Sequence, residues 1–293
     1  MRLREQSDTS RDAGVGASDR DLQRAKGYGR IVVSGSEKGN RIMEVLQQSP
    51  IRIMFPRSDG GGIEEAVLIN IAGGVAGGDR LEYIVTALTH SSIAVTSQAA
   101  EKVYRALSEP ARIITKLKAS EAAKLAWLPQ ETIVFNQARF RRETEIEISS
   151  GAELLALEWL VLGRAAHGEE MLAGEVSDAL RIKKNGRLIW ADAFRATHEV
   201  FGQLHRKALL SNCKAFATLV YFGPCPEQRL QLSHDIGPSL ESFCASTSIA
   251  GLLIVRFAAM VAADLRLALR GFLQKFNDTL APGPFGIPKM WSC

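Results

Sequence analysis

Thr144-Glu145-Ile146-Glu147-Ile148 alternates polar and β-branched apolar side chains, and this alternation decides the fold class. Successive side chains of an extended strand point to opposite faces. Glu145 and Glu147 are therefore predicted on a wet face, with Ile146 and Ile148 on a buried one. Similar short runs precede it: Ile51–Phe55, Ala66–Ile71, Leu81–Val85, Ile93–Thr96, Ile113–Leu117 and Ile133–Phe135. Gly, Pro, Asn and Ser clusters separate them, the pattern of a domain built from many short strands. No long helical pattern intervenes, which argues against βαβ units.

The last third changes character. Pro238–Phe243 reads as a short helix, Leu252–Phe257 as a strand, and Met260–Phe276 as an amphipathic helix. In that helix Leu265, Leu269, Phe272, Leu273 and Phe276 recur at helical spacing, and Pro282 and Pro284 end it. At the other end, residues 1–27 hold few large apolar side chains and read as a disordered leader. The folded part, residues 28–293, is expected to form a single domain beginning near Tyr28.

Of the 293 residues, 46% are hydrophobic and 23% charged, with a net charge of +4. This is ordinary globular composition, without the clustered basic face of a nucleic-acid binder. No apolar run reaches the length of a membrane span, and Met1–Asp8 lacks the apolar core of a secretory signal. The expectation is a cytoplasmic protein without nucleic-acid or membrane partners. The four cysteines, Cys213, Cys225, Cys244 and Cys293, form no C-x-x-C pair and read as reduced thiols.

Gly73-Gly74-Val75-Ala76-Gly77-Gly78-Asp79 follows a strand-like run, as a phosphate loop would. It lacks the Lys-Ser/Thr ending of a P-loop and the G-x-G-x-x-G order, and a strand-like run follows it. A tight turn between strands, with glycines at positive φ, is the simpler reading. Ser97 has no nucleophile elbow around it. Leu154–Leu162 is a long apolar run with Glu158 in its middle. A buried, unpaired carboxylate is costly, so Glu158 needs a partner, for which Arg164 is one candidate, or a role. Ala166-His167-Gly168-Glu169-Glu170 is a weak metal signal. His90, His198, His205 and His234 are scattered, and no catalytic constellation emerges.

Five motifs together resemble the UreD (UreH) family of urease accessory proteins. They are Asn70–Asp79, Thr96–Arg105, Trp127–Phe135, Gly163–Glu169 and Pro288–Trp291, in that order. The resemblance implies a mainly β, β-helical or solenoid-like scaffold of many short strands with about two helices toward the C-terminal part. It implies a protein that is not an enzyme and has no tightly bound cofactor. Its implied partners are UreF, the GTPase UreG and apo-urease, in a dimeric hetero-complex, with nickel in transit through an internal tunnel. On this resemblance Asp79, Glu158 and Glu169 are the candidate nickel-path residues, and Thr96, Ser97 and Gln98 weaker ones. Ala126 and Asn136 depart from the family pattern, standing where a Glu and an Asp are usual, and each loses an acid. The other expectations to weigh are a β-solenoid enzyme acting on carbohydrate, which needs two carboxylates converging in a groove, and an interaction protein with no metal route.

Overall fold

The β-branched runs form strands that the intervening corners carry back and forth between two sheets. The computed structural model describes residues 24–36, 39–56, 63–279, 285 and 287–291. Its strands are β1 (Lys26–Ser36), β2 (Gly39–Gln48), β3 (Ile51–Met54), β4 (Glu64–Asn70), β5 (Arg80–Ala87), β6 (Ser92–Ser97), β7 (Glu101–Val103), β8 (Ala111–Ala119) and β9 (Lys124–Trp127). They continue as β10 (Thr132–Val134), β11 (Arg139–Ile148), β12 (Glu153–Leu162), β13 (Glu175–Lys184), β14 (Arg187–Thr197), β15 (Ala215–Phe222), β16 (Phe243–Ile249) and β17 (Leu252–Ala259). The helices are α1 (His198–Phe201), α2 (Pro226–Ile236) and α3 (Ala262–Asp278).

One sheet runs β14-β13-β11-β8-β5-β1-β2. The other runs β16-β17-β15-β12-β9-β6-β4-β3, with β10 alongside β12 and β7 alongside β10. Between β4 and β13 the chain alternates sheets, apart from the short β7 and β10, which stay in the second sheet after β6 and β9, and its neighbours within each sheet are parallel. This is a solenoid-like stack of about four coils, as the resemblance implies. After β13 the chain reverses: β14 pairs antiparallel with β13, and β15 antiparallel with β12.

The apolar run ending at Leu162 is explained by β12 lying between two layers. Leu154, Ala156, Leu160 and Leu162 face the other sheet. Leu155, Leu157, Trp159 and Val161 face a second core beneath α3. A strand covered on both sides reads as continuous apolar sequence. Glu158 has the parity of the first set and points between the sheets. The parity predicted for β11 also holds: Ile146 and Ile148 are buried, while Glu145 pairs with Lys183 and Glu147 accepts a bond from the Gly186 N–H.

The helix expected over Pro238–Phe243 is a single 3₁₀ turn, Gly237–Ser239, and Phe243 already opens β16. The antiparallel ladder with β17, which pairs Phe243 with Ala258, holds that residue extended. The helix α2, which opens on Pro226, was not anticipated; proline suits a first helical position. The predicted amphipathic helix is α3, starting two residues late because Val261 is still extended. Its Leu265, Leu269, Phe272, Leu273 and Phe276 are buried, each contributing roughly 2 kcal/mol of apolar burial. At the N-terminal side β1 starts at Lys26, two residues before the expected Tyr28, and residues 1–23 of the expected leader lie outside the described residues. Among the described residues, no helix is long and apolar enough to cross a membrane.

Candidate functional site between the sheets

Inward-facing positions of three strands place a charged cluster inside the inter-sheet core. On β11 the alternation that buries Ile146 and Ile148 also buries Thr144 and Arg142, the latter only 4% exposed. On β13 it turns Asp178 inward, directly opposite Arg142 in the parallel register. On the facing sheet Glu158 of β12 is 7% exposed.

The guanidinium of Arg142 joins the two acids. Its Nε donates to Asp178 Oδ1 at 2.9 Å and its Nη2 to Oδ2 at 2.7 Å, a planar fork on one carboxylate. Its Nη1 donates to Thr132 Oγ1 at 3.1 Å and lies 2.7 Å from Glu158 Oε2. The other oxygen of Glu158, Oε1, accepts from Trp127 Nε1 at 3.0 Å and Thr144 Oγ1 at 2.9 Å. Burial raises the Glu158 carboxyl above the ordinary carboxylate range, with Arg142 pulling the other way. Burial also works against the charge on Arg142, yet Asp178 and Glu158 hold its pKa above the usual value.

Two cavities flank this cluster, both lined by residues of both sheets. The larger, about 500 Å³, is lined by Glu158, Asp178, Asp192, Phe194, Thr218 and Arg256 among others. The ion pair between Arg256 Nη2 and Asp192 Oδ1, 2.8 Å, spans the two sheets there. The smaller, about 50 Å³, is lined by Glu101, Tyr83, Thr115, Thr132, Arg142 and Glu158 among others. Glu158 borders both, with Arg142 on one side and Asp178 on the other. At the far side of the smaller cavity, burial pushes the Glu101 carboxyl up to about 7, although Asn70 Nδ2 donates to it at 3.0 Å.

The three candidate path residues are not gathered in one place. Asp79 closes the glycine turn between β4 and β5. Its Oδ1 accepts from the Ala25 N–H and its Oδ2 from the Ala76 N–H, both at 2.8 Å. Glu169 sits beyond β12, where it pairs with Arg164 and accepts from the Asn136 N–H at 2.9 Å. The Arg164 hydrogen bond, ahead of its charge, lowers the pKa of Glu169. Arg164 is thus the partner of Glu169, not of Glu158 as the sequence allowed: its backbone follows the end of β12, and its guanidinium lies over Phe135. Thr96 is buried and donates to the Leu128 carbonyl, while Ser97 lines the smaller cavity. Among the described residues no three His, Cys, Asp or Glu gather at metal-binding spacing.

Arg142, Asp178, Thr132, Trp127 and Glu101 were not singled out as site residues from sequence. For Arg142 a signal was present: it shares the buried parity of Ile146 and Ile148. Asp178 likewise shares the parity of the buried Val176, Leu180 and Ile182. Of the two departures, Ala126 faces the helix-side core, away from the cavities. Asn136 Oδ1 accepts from the Leu172 and Ala173 N–H groups, an acceptor role that an Asp performs equally well.

Fold and site together define a class: a stacked-coil β scaffold whose inter-sheet core carries a charged partition between two cavities. The family model described as UreD urease accessory protein matches residues 25–292. The chain belongs to the UreD urease accessory protein family. It is 36% identical over 277 residues to urease accessory protein UreD of Chelativorans sp. (strain BNC1), covering 94% of this chain and 97% of that one. It is 38% identical over 275 residues to urease accessory protein UreD of Mesorhizobium japonicum, covering 92% and 95%. To urease accessory protein UreD of Xanthobacter autotrophicus it is 37% identical over 287 residues, covering 98% and 96%.

Proposed function

We propose that this chain is a cytoplasmic, non-catalytic scaffold for nickel insertion into apo-urease. It acts in an assembly with UreF and the GTPase UreG, and nickel crosses it through the space between the sheets. Family membership supports the urease-maturation role. The observation that carries the route is the pair of inter-sheet cavities that both border Glu158. Glu158 is the nickel-contacting carboxylate of this route, with Asp178 beside it. Asp79 and Glu169 fasten the turns at the margins of the stack, since their oxygens are engaged by backbone N–H groups and Arg164. Two carboxylates are fewer than the three or more donors of a resident site, which suits an ion that must be released.

The carbohydrate-active alternative has less support. Glu158 and Asp178 do converge, but they share one guanidinium, so neither is free to serve as acid or nucleophile in the paired-carboxylate scheme. The test is urease activity in a strain lacking this chain, complemented with wild type or Glu158→Ala at limiting nickel. Wild type restores activity and the variant restores a small fraction of it. Full activation without the chain, or failure of UreF to co-purify with it, defeats the proposal.

A further inference from the structure

The partition between the cavities is unusual for a route taken by a cation, because its centre is itself a cation. Arg142 borders the smaller cavity, Asp178 the larger, and Glu158 both. The hydrogen bonding is lopsided. Arg142 grips Asp178 with two nitrogens but meets Glu158 through Nη1 alone. Glu158 in turn is held in place through Oε1 by Trp127 and Thr144, while among the described residues Oε2 meets the guanidinium alone. Breaking the Nη1 contact therefore frees one oxygen of an anchored carboxylate and leaves the Arg142–Asp178 fork intact.

We infer that Arg142 closes the passage between the two cavities, as a resident cation that a divalent ion must displace from Glu158 Oε2 in order to cross. The inference builds on the inter-sheet route proposed above and adds its regulation. In a low-dielectric interior a guanidinium within hydrogen-bond reach of both acids repels an incoming dication and offsets one of the acids' two charges. The same residue keeps Glu158 and Asp178 from becoming a trap. Guanidinium and dication compete for one oxygen, so binding stays weak and the ion moves on.

The test is titration of the purified full-length chain with nickel sulfate alone, followed by calorimetry. Wild type binds weakly. Arg142→Gln unmasks both carboxylates and binds at least about tenfold tighter, and Arg142→Gln with Glu158→Gln returns to the wild-type value. No gain in Arg142→Gln, or a gain that survives in the double variant, overturns the inference. Circular dichroism and melting show whether Arg142→Gln is folded. If it is not, Arg142→Lys takes its place: one ammonium cannot reproduce the fork, so nickel binding must tighten by about threefold, and an unchanged affinity overturns the inference equally. Urease activation separates this from the route itself. Tighter nickel binding in Arg142→Gln with unimpaired urease activation upholds the resident cation and removes the route. Loss of activation in Glu158→Ala without any nickel gain in Arg142→Gln does the reverse.

Discussion

Trp127 Nε1 donates to Glu158 Oε1 at 3.0 Å, joining neighbouring parallel strands of one sheet from the side that faces the other. The indole fixes which way the carboxylate points. With Thr144 on the same oxygen, it leaves Oε2 aimed at Arg142. The energetics of the site follow from this division of one carboxylate into a fixed oxygen and an exchangeable one.

Removing the guanidinium should cost more than removing the Glu158 charge. Arg142→Met leaves two buried acids without their cation, and loss of one partner from a buried pair costs about 3–5 kcal/mol. Glu158→Gln keeps an acceptor for Trp127 and leaves Arg142 on Asp178, so it should cost about 1–2 kcal/mol. Urea unfolding of both variants checks the order. Equal losses would mean that Asp178 alone does not satisfy Arg142.

Asp79→Ala removes the acceptor of two backbone N–H groups, at Ala25 and Ala76. Each orphaned donor costs about 1–3 kcal/mol where water cannot replace the bond, so a fall of about 2–6 kcal/mol in unfolding free energy is expected. If Asp79 only fastens the turn, urease activation per folded molecule stays at the wild-type level. A specific loss of activation in a fully folded Asp79→Ala would place nickel at Asp79 after all.

The glycine turn should respond unequally to alanine. Gly73 has φ +74° with open space around a would-be Cβ, so Gly73→Ala should cost about 1 kcal/mol from backbone conformation alone. Gly74 has φ +151°, and its Cβ would stand 2.7 Å from the Lys102 carbonyl oxygen. Gly74→Ala must displace the backbone where Val75 bonds to Lys102, with an expected loss of about 3 kcal/mol or more. Thermal melts of the two variants decide it, and equal midpoints would refute the close approach.

Glu101 makes stability pH-dependent in a definite direction. Its folded pKa of about 7 lies above the unfolded value of 4.5. Below pH 4.5 both states are protonated and the burial carries no charge penalty. Between 4.5 and 7 the unfolded chain releases the proton while the folded one retains it, so stability falls as pH rises, then levels off above 7. The total is up to about 3 kcal/mol, at about 1.4 kcal/mol per pKa unit. Glu101→Gln keeps the bond from Asn70 and should flatten this slope in unfolding measured from pH 4.5 to 8. An unchanged slope would exclude Glu101 as its source.

Trp291 ties the C-terminal segment to the helix-side core. It is 1% exposed, stacks on Trp159 with centroids 6.0 Å apart, and donates to the Leu128 carbonyl at 2.9 Å. Trp291→Ala should cost about 3–5 kcal/mol. A loss under about 1 kcal/mol, read from chemical unfolding, would show that the segment is dispensable.

Much of this protein was readable along the chain because its information is local. The alternation at 144–148 gave a strand with one wet face, the glycines gave a turn, and the spacing of Leu265 to Phe276 gave the helix. Five ordered motifs pointed to the family. Glu158 stood out because a carboxylate inside an apolar run demands a partner. The partner itself was not readable. Arg164 is six positions away in sequence, but a strand running that far carries it to the end of β12. Arg142 reaches Glu158 because an inward position of β11 faces an inward position of β12 on the opposite sheet, and it reaches Asp178, 36 residues on, through the parallel register of β11 and β13. Register and coil stacking are set by the sum of many apolar contacts between strands distant in sequence, which no local pattern records. The sequence by itself determined a mainly β protein of many short strands with one buried acid needing compensation, and its motifs, through the family resemblance, implied the stacked arrangement. Only the tertiary structure decided that the compensating group is a guanidinium shared with a second acid, placed where two cavities meet.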